Sequence, residues 1–448
     1  MLKRKIDVAF KEFIEDSSKK ALLVTGARQV GKTYSVRQFG NSCFDSFVEF
    51  NFIKNEDAKA IFQNVADEKD ILLRISALAD RPLNPGNTLI FFDEVQVCPK
   101  AMTYMKFLVE EGSYRYILSG SLLGVELKNI RSVPVGYLDE VQMYPLDFEE
   151  FIRANGVSDD VIEHLRNSFA KRQSPDPVVH AKMMRYHALY LITGGMPAVV
   201  QKYLDTNDLR KVQLEQTAII REYKRDITQY DERLKMRLRH IYDLIPSELN
   251  KHNKRFFLKN ASLRGRLDRA ESDFLWLSEA GVAIPAYNVD EPKVPLELAK
   301  KANLFKFFMN DVGLLCSLYA DGIQMKILNG ETDINFGSVY ENYVAQELFA
   351  HGFTSIYYFN SKKHGEVDFM VESDGAVLPI EVKSGKDFSS HSALDNLMYA
   401  TEFGIPSAWV VSKSEKAGVV GKTTYLPIYC LMFLARGEIK SPLIYKVV

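Results

Sequence analysis

The amino-acid sequence predicts an α/β protein: a doubly wound parallel sheet at the front, a helical middle region, and a second α/β segment at the end. Three observations carry this. Apolar runs of strand length alternate with segments of helix length over the first 150 or so residues. Apolar residues at helical spacing then dominate from Asp147 to Asp243. After Asp311 the alternation of strands and helices returns.

The first strand is the apolar run Ala21 to Val24. It leads into Thr25-Gly26-Ala27-Arg28-Gln29-Val30-Gly31-Lys32-Thr33, which fits G-x-x-x-x-G-K-[ST], and a helix-competent segment follows. This is a P-loop. Gly26 and Gly31 allow the backbone to wrap a phosphate, and successive N–H groups at a helix start point at the anion. Lys32 neutralises β and γ oxygens, and Thr33 is placed to hold Mg²⁺. Gly26, Ala27, Arg28, Gln29, Val30, Gly31, Lys32, Thr33 and the following Tyr34 are the expected nucleotide contacts, so ATP and Mg²⁺ are the expected cofactors. The next strand is Phe47 to Asn51. Thr88-Leu89-Ile90-Phe91-Phe92 is a continuous apolar run ending in Asp93-Glu94, a Walker B pattern. Asp93 is expected in the Mg²⁺ shell and Glu94 against the attacking water. Tyr114 to Leu118 stops at Ser119-Gly120-Ser121, where Ser119 or Ser121 is the candidate γ-phosphate sensor. Asp139 to Tyr144 completes the pattern. In such sheets ligands bind at the carboxyl ends of the strands, and all three polar motifs fall there.

Several of these words occur together in order: Gly-Ala-Arg-Gln-Val-Gly-Lys-Thr, Phe-Phe-Asp-Glu-Val-Gln, Leu-Ser-Gly-Ser, Tyr-Pro-Leu-Asp-Phe-Glu-Glu-Phe (144 to 151) and Gly-Gly-Met-Pro (194 to 197). In this the chain resembles the bacterial and archaeal AAA-type ATPases. The later segment Leu304-Phe305-Lys306-Phe307-Phe308-Met309-Asn310-Asp311-Val312-Gly313-Leu314-Leu315 is similar to the C-terminal domain of unknown function that accompanies this ATPase. One departure stands out. Many relatives carry a Gly-Arg pair before the strand leading to Tyr-Pro-Leu, and Val135-Gly136-Tyr137 stands here instead, so no arginine finger is assigned. AAA relatives often work as rings, which makes a homo-oligomer one implied partner state.

Length and composition set the bounds. A chain of 448 residues admits two or three domains, and 46% hydrophobic with 26% charged residues is the balance of a globular protein that buries sizeable cores. Cys43, Cys98, Cys316 and Cys430 show no C-x-x-C spacing, so neither a zinc site nor a disulfide framework is expected. The basic start Met1 to Lys5 is not followed by the apolar core of a signal peptide, and the run Leu426 to Ala435 is too short to span a bilayer. The expected location is the cytoplasm, with no membrane partner.

A formal net charge of −1 says nothing in favour of nucleic acid, and the charge distribution leaves two readings open, a nucleic-acid contact or the solvated helix faces of an ATPase lid. Arg233, Lys235, Arg237, Arg239, Lys251, Lys254, Arg255, Lys259, Arg264, Arg266 and Arg269 form a basic block with few acids among them. Ile245 to His252, Glu271 to Ala280 and the β-like Val282 to Tyr287 then read as a winged helix, with Ser272 to Leu277 nearest DNA. Arg221 and Arg225 are lid candidates, although surface ion pairing is their ordinary role. Glu291-Pro292-Lys293-Val294-Pro295 reads as a linker. The expected division is an ATPase domain with a helical appendage over 1–205, a helical, winged-helix-like region over 206–295, and a last domain over 296–448.

That last domain has its own constellation. Gly365-Glu366-Val367-Asp368-Phe369-Met370-Val371 and Leu378-Pro379-Ile380-Glu381-Val382-Lys383 read as adjacent strands. Glu381 and Lys383 are two apart and share a face, with Asp368 on the strand before. Asp368 and Glu381 are expected to bind Mg²⁺, with Glu341, on the helical segment Ser338 to Phe349, as a third carboxylate. Lys383 is expected to orient or deprotonate water, and Val382 to lend its carbonyl. The array resembles the PD-(D/E)xK nuclease superfamily, which implies a restriction-endonuclease-like fold. E-x-K on an amphipathic strand is also ordinary, so a domain that binds DNA or protein without cutting stays open beside DNA cleavage. His364 and His391 are assigned no role.

Overall fold

A computed structural model describes residues 2–120, 136–227, 232–250, 274, 276–319, 322–331, 337–385 and 387–436. The chain divides into two compact units, Met1–Leu146 with Leu275–Val282, and Asp147–Phe274 with Ala283–Val448.

In the first unit five strands, β1 (Ala21–Thr25), β2 (Ser46–Asn51), β3 (Thr88–Asp93), β4 (Arg115–Ser119) and β5 (Leu138–Gln142), form one sheet in the order β2-β3-β4-β1-β5. Every pairing is parallel. The three central strands are buried at every position, as uninterrupted apolar runs require, whereas β5 at the edge exposes Asp139, Glu140 and Gln142. Alternate residues feed two cores. Leu23, Phe50, Phe92 and Leu118 pack with Ile71, Met102 and Met105 of helices Glu68–Leu78 and Pro99–Glu111. Leu22, Val24, Phe91 and Ile117 pack on the other face with Phe10, Val36 and Phe39 of helices Ile6–Glu15 and Lys32–Cys43. Burying Phe91 and Phe92 completely contributes on the order of 2–3 kcal/mol each. The helix boundaries follow from local chemistry: the Asp67 carboxylate accepts from Asp70 N at one start, and Pro99 opens another where its missing N–H costs nothing.

The second unit begins with helices Phe148–Ala154, Asp159–Ala170, Pro177–Thr193, Pro197–Thr206, Leu209–Ile227 and Glu232–Leu249. A capping box closes the first of these, with Asp147 and Glu150 each accepting the other's backbone N–H. Then come β6 (Ala283–Val289), β7 (Lys300–Met309), β8 (Ile356–Ser361), β9 (Gly365–Ser373), β10 (Ala376–Lys383), β11 (Ala408–Ser412), β12 (Gly418–Val420) and β13 (Thr423–Pro427). They form a mixed sheet in the order β12-β13-β11-β10-β9-β8-β6-β7. Helix Gly337–Ala350, buried from Ser338 to Leu348, packs against this sheet.

Two expectations need restating. The strand read as the tail of a winged helix is β6, which pairs antiparallel with β7 and parallel with β8 inside the eight-stranded sheet. A short apolar strand carries no label for the sheet it joins. The Glu291–Pro295 stretch correspondingly connects β6 to β7 within one unit, because Pro marks turns as readily as domain linkers. Residues 251–273, which hold most of the basic block, lie outside the described residues. The helices from Asp147 onward cluster with the second unit. Among the described residues no helix is long and apolar enough to cross a membrane.

Candidate functional site

The sheet register of the first unit sets the site. Asn51 pairs with Asp93 and Asp93 with Ser119, so the last residues of β2, β3 and β4 stand in one row at the carboxyl edge. Asp93 is the hub of that row. Its carboxylate accepts from Thr33 Oγ1 at 3.1 and 3.2 Å, from Asn51 Nδ2 at 2.8 Å, and from the buried Ser119 hydroxyl. A hydroxyl from the loop and a carboxylate from the neighbouring strand thus converge where a Mg²⁺ ion bound with a nucleotide takes its protein ligands, so the residues present fit that ion.

The loop itself is tightly held. A Cβ on Gly26, at φ +133°, would lie 2.1 Å from the Met143 carbonyl oxygen, so the chain passes there only without a side chain. Arg4 donates to the Val30 carbonyl at 2.9 Å and to the Tyr144 carbonyl at 2.7 Å, tying the loop to the segment after β5. Ala27 and Val30 are buried beneath the loop, Arg28 and Gln29 are half-buried, and Tyr34 is exposed. Lys32 is buried and donates to the Gly26 and Ala27 carbonyls at 2.8 and 2.7 Å. Burial pushes its ammonium down to about 8, against the opposing pull of Glu94 and Asp93.

Glu94 follows Asp93 in a left-handed conformation at φ 59°, a costly backbone for a non-glycine residue, and its Oε2 accepts from Gln96 Nε2 at 2.5 Å. Of the two sensor candidates Ser119 stands on Asp93, while Ser121 lies outside the described residues. Asn51 was missed in the sequence. Its signal was a polar residue closing a buried strand, but only the register tells which neighbour it meets.

In the second unit Asp368 on β9, and Glu381, Val382 and Lys383 on β10, come together as their spacing implied. Asp368 Oδ2 accepts from Val382 N at 2.9 Å, and Lys383 Nζ donates to Glu381 Oε1 at 2.8 Å. Glu341, on helix Gly337–Ala350, faces a different partner: Lys306 Nζ lies 3.6 Å from Glu341 Oε2 and 2.7 Å from Glu366 Oε1. Burial works against the Lys306 charge, but Glu341, Glu366 and Asp368 together outweigh it and hold the ammonium well above the usual lysine range. Burial raises the Glu381 carboxyl despite Lys383 beside it. Among the described residues no group of three or more His, Cys, Asp or Glu side chains is placed to hold a metal ion, and Glu341, one of the three expected ligands, lies against Lys306. Lys306 is a lone cation within the apolar run Leu304 to Met309, to which the sequence alone attaches no role.

Family models match three stretches of the chain. Residues 18–152 match an AAA domain, residues 184–326 a domain of unknown function (DUF8612), and residues 336–431 another domain of unknown function (DUF4143). The first stretch is therefore an AAA-type P-loop ATPase domain, of the kind that binds ATP with Mg²⁺. No curated protein matches the chain. Among solved structures, the crystal structure of Cdc6p from Pyrobaculum aerophilum matches over 73% of this chain and 92% of that one. It is 12% identical with a TM-score of 0.24, too slight a likeness to carry an argument.

Proposed function

We propose that the protein hydrolyses ATP at the Gly26–Thr33 loop and uses the cycle to act on DNA through its second unit. One observation supports the hydrolytic reading above the others: the Thr33 and Ser119 hydroxyls both donate to the Asp93 carboxylate, with Glu94 next in the chain. Mg²⁺ bound with the nucleotide offsets charge on the β and γ phosphates. Thr33 and Asp93 hold its shell, and Lys32 exchanges the Gly26 and Ala27 carbonyls for phosphate oxygens. Gly26, Ala27, Arg28, Gln29, Val30, Gly31 and Tyr34 surround the nucleotide. Glu94 polarises the attacking water, and Ser119 reports the γ-phosphate to Asp93. Steady-state ATP hydrolysis by Lys32→Ala and Glu94→Gln tests this. Both are expected to lose at least about a hundredfold, and parental rates in both would end the assignment.

DNA as partner is supported by the basic block between Arg233 and Arg269. The full chain is expected to bind duplex DNA at low salt and release it steeply as salt rises, and absence of retention at low salt would remove DNA from the proposal. For the second unit, Asp368, Glu381 and Lys383 support a nuclease-like site. The reading in which this domain binds DNA or protein without cutting is favoured by the Lys306 ammonium lodged against Glu341 and Glu366. Plasmid DNA incubated with the protein and Mg²⁺ or Mn²⁺ decides between them: the non-cutting reading expects intact plasmid, and nicking abolished by Asp368→Ala would restore the nuclease.

A further inference from the structure

We infer that the carboxylate cluster of the second unit is built around a resident ammonium, Lys306, and takes up no divalent cation. This rests on the non-cutting reading above and gives it a physical cause. Lys306 is wholly buried and lies 2.7 Å from Glu366, 3.6 Å from Glu341, and 4.9 Å from the centre of the Tyr358 ring. Glu341 is itself 3% exposed, so helix Gly337–Ala350 brings its carboxylate to β7 in a place water does not reach. An unpaired carboxylate there would be costly, and the lysine is the partner that makes its burial tolerable.

The remaining carboxylates are also engaged. Lys383 takes Glu381 Oε1 and the Val382 N–H takes Asp368 Oδ2, so two ammonium groups and a backbone donor serve this cluster. Glu381 Oε2 is buried with no hydrogen-bond partner, but one oxygen is not a coordination shell. A divalent ion beside it would stand near two fixed positive charges and compete with them for the same acceptors. Hard cations of this class need several converging oxygens, and Lys306 already draws two of the carboxylates to itself.

The test is cation uptake by the full chain in the absence of nucleotide and DNA, with Mn²⁺ as probe and the free-ion paramagnetic resonance signal as readout. Parent and Asp368→Asn are expected to take up the same number of Mn²⁺ equivalents, since any ion held near Asp93 is common to both. Lys306→Met, which removes the ammonium while keeping its bulk, is expected to gain about one Mn²⁺ equivalent. An equivalent bound by the parent and lost in Asp368→Asn or Glu381→Gln would overturn the inference, as would a folded Lys306→Met that gains none. If Lys306→Met fails to fold, the comparison of the parent with the two carboxylate variants still decides. Because neither ATP turnover nor DNA enters the readout, a failure of the ATPase or DNA reading leaves this result unmoved.

Discussion

Asp93 accepts from Thr33, Asn51 and Ser119 at once, so its orientation depends on residues from three different elements. A hydrogen bond to a charged group contributes about 1.5–3 kcal/mol, and its loss here should surface in the step that needs a fixed carboxylate. Asn51→Ala is accordingly expected to raise the Mg²⁺ concentration for half-maximal ATP hydrolysis by about tenfold. An unchanged Mg²⁺ titration would leave Asn51 a bystander. Lys32 makes a second residue-level prediction. Its free-loop value of about 8 lies below the ordinary lysine range, and bound phosphate favours the charged form, so the value must rise on binding. Affinity for a non-hydrolysable ATP analogue should be flat below about pH 8 and fall by up to about tenfold per pH unit above it, as binding takes up one proton. Lys32→Arg, which does not titrate there, should lose that slope. Equal slopes in fluorescent-nucleotide titrations of both proteins would refute the assignment.

At the scale of elements, two words quoted separately from the sequence meet in space. Helix Pro177–Thr193 ends at Gly194, at φ 68°, and the Asp311 side chain that caps helix Val312–Ser317 accepts from Gly195 N at 2.6 Å and from Leu314 N at 2.9 Å. A Cβ on Gly194 would lie 2.0 Å from Asp311 Oδ1, and one on Gly313 would lie 2.4 Å from Gly194 N. The Gly-Gly-Met-Pro word thus serves a junction between helix ends in the second unit. Gly194→Ala combines a strained backbone with a clash against a buried carboxylate and is expected to cost about 3 kcal/mol or more in urea unfolding. A loss below about 1 kcal/mol would contradict the close packing. Elements were the most legible level. β1, β3 and β4 were evident as apolar runs with polar residues at their ends, since a strand buried on both faces needs no partner to be recognised. β6 was legible as a strand but not as a member of the eight-stranded sheet.

For the whole molecule, two compact units, each with apolar cores of its own, imply that nucleotide binding stabilises the one that carries the loop. At a hundred times its dissociation constant a ligand adds about 2.7 kcal/mol, a shift of a few degrees in the transition of that unit. Calorimetry with Mg²⁺ and an ATP analogue should move one transition and leave a second in place, and an equal movement of both would tie the units thermodynamically. The sequence by itself determined the nucleotide loop, the buried acidic strand end and the alternating α/β order, because each is a local pattern of residue types at short spacing. Tertiary structure alone decided that Asn51 stands on Asp93, that β6 joins the second sheet, and that Lys306 lies against Glu341 and Glu366. Those depend on strand register and on contacts between residues far apart in the chain, where period and propensity carry no information about which partner is met.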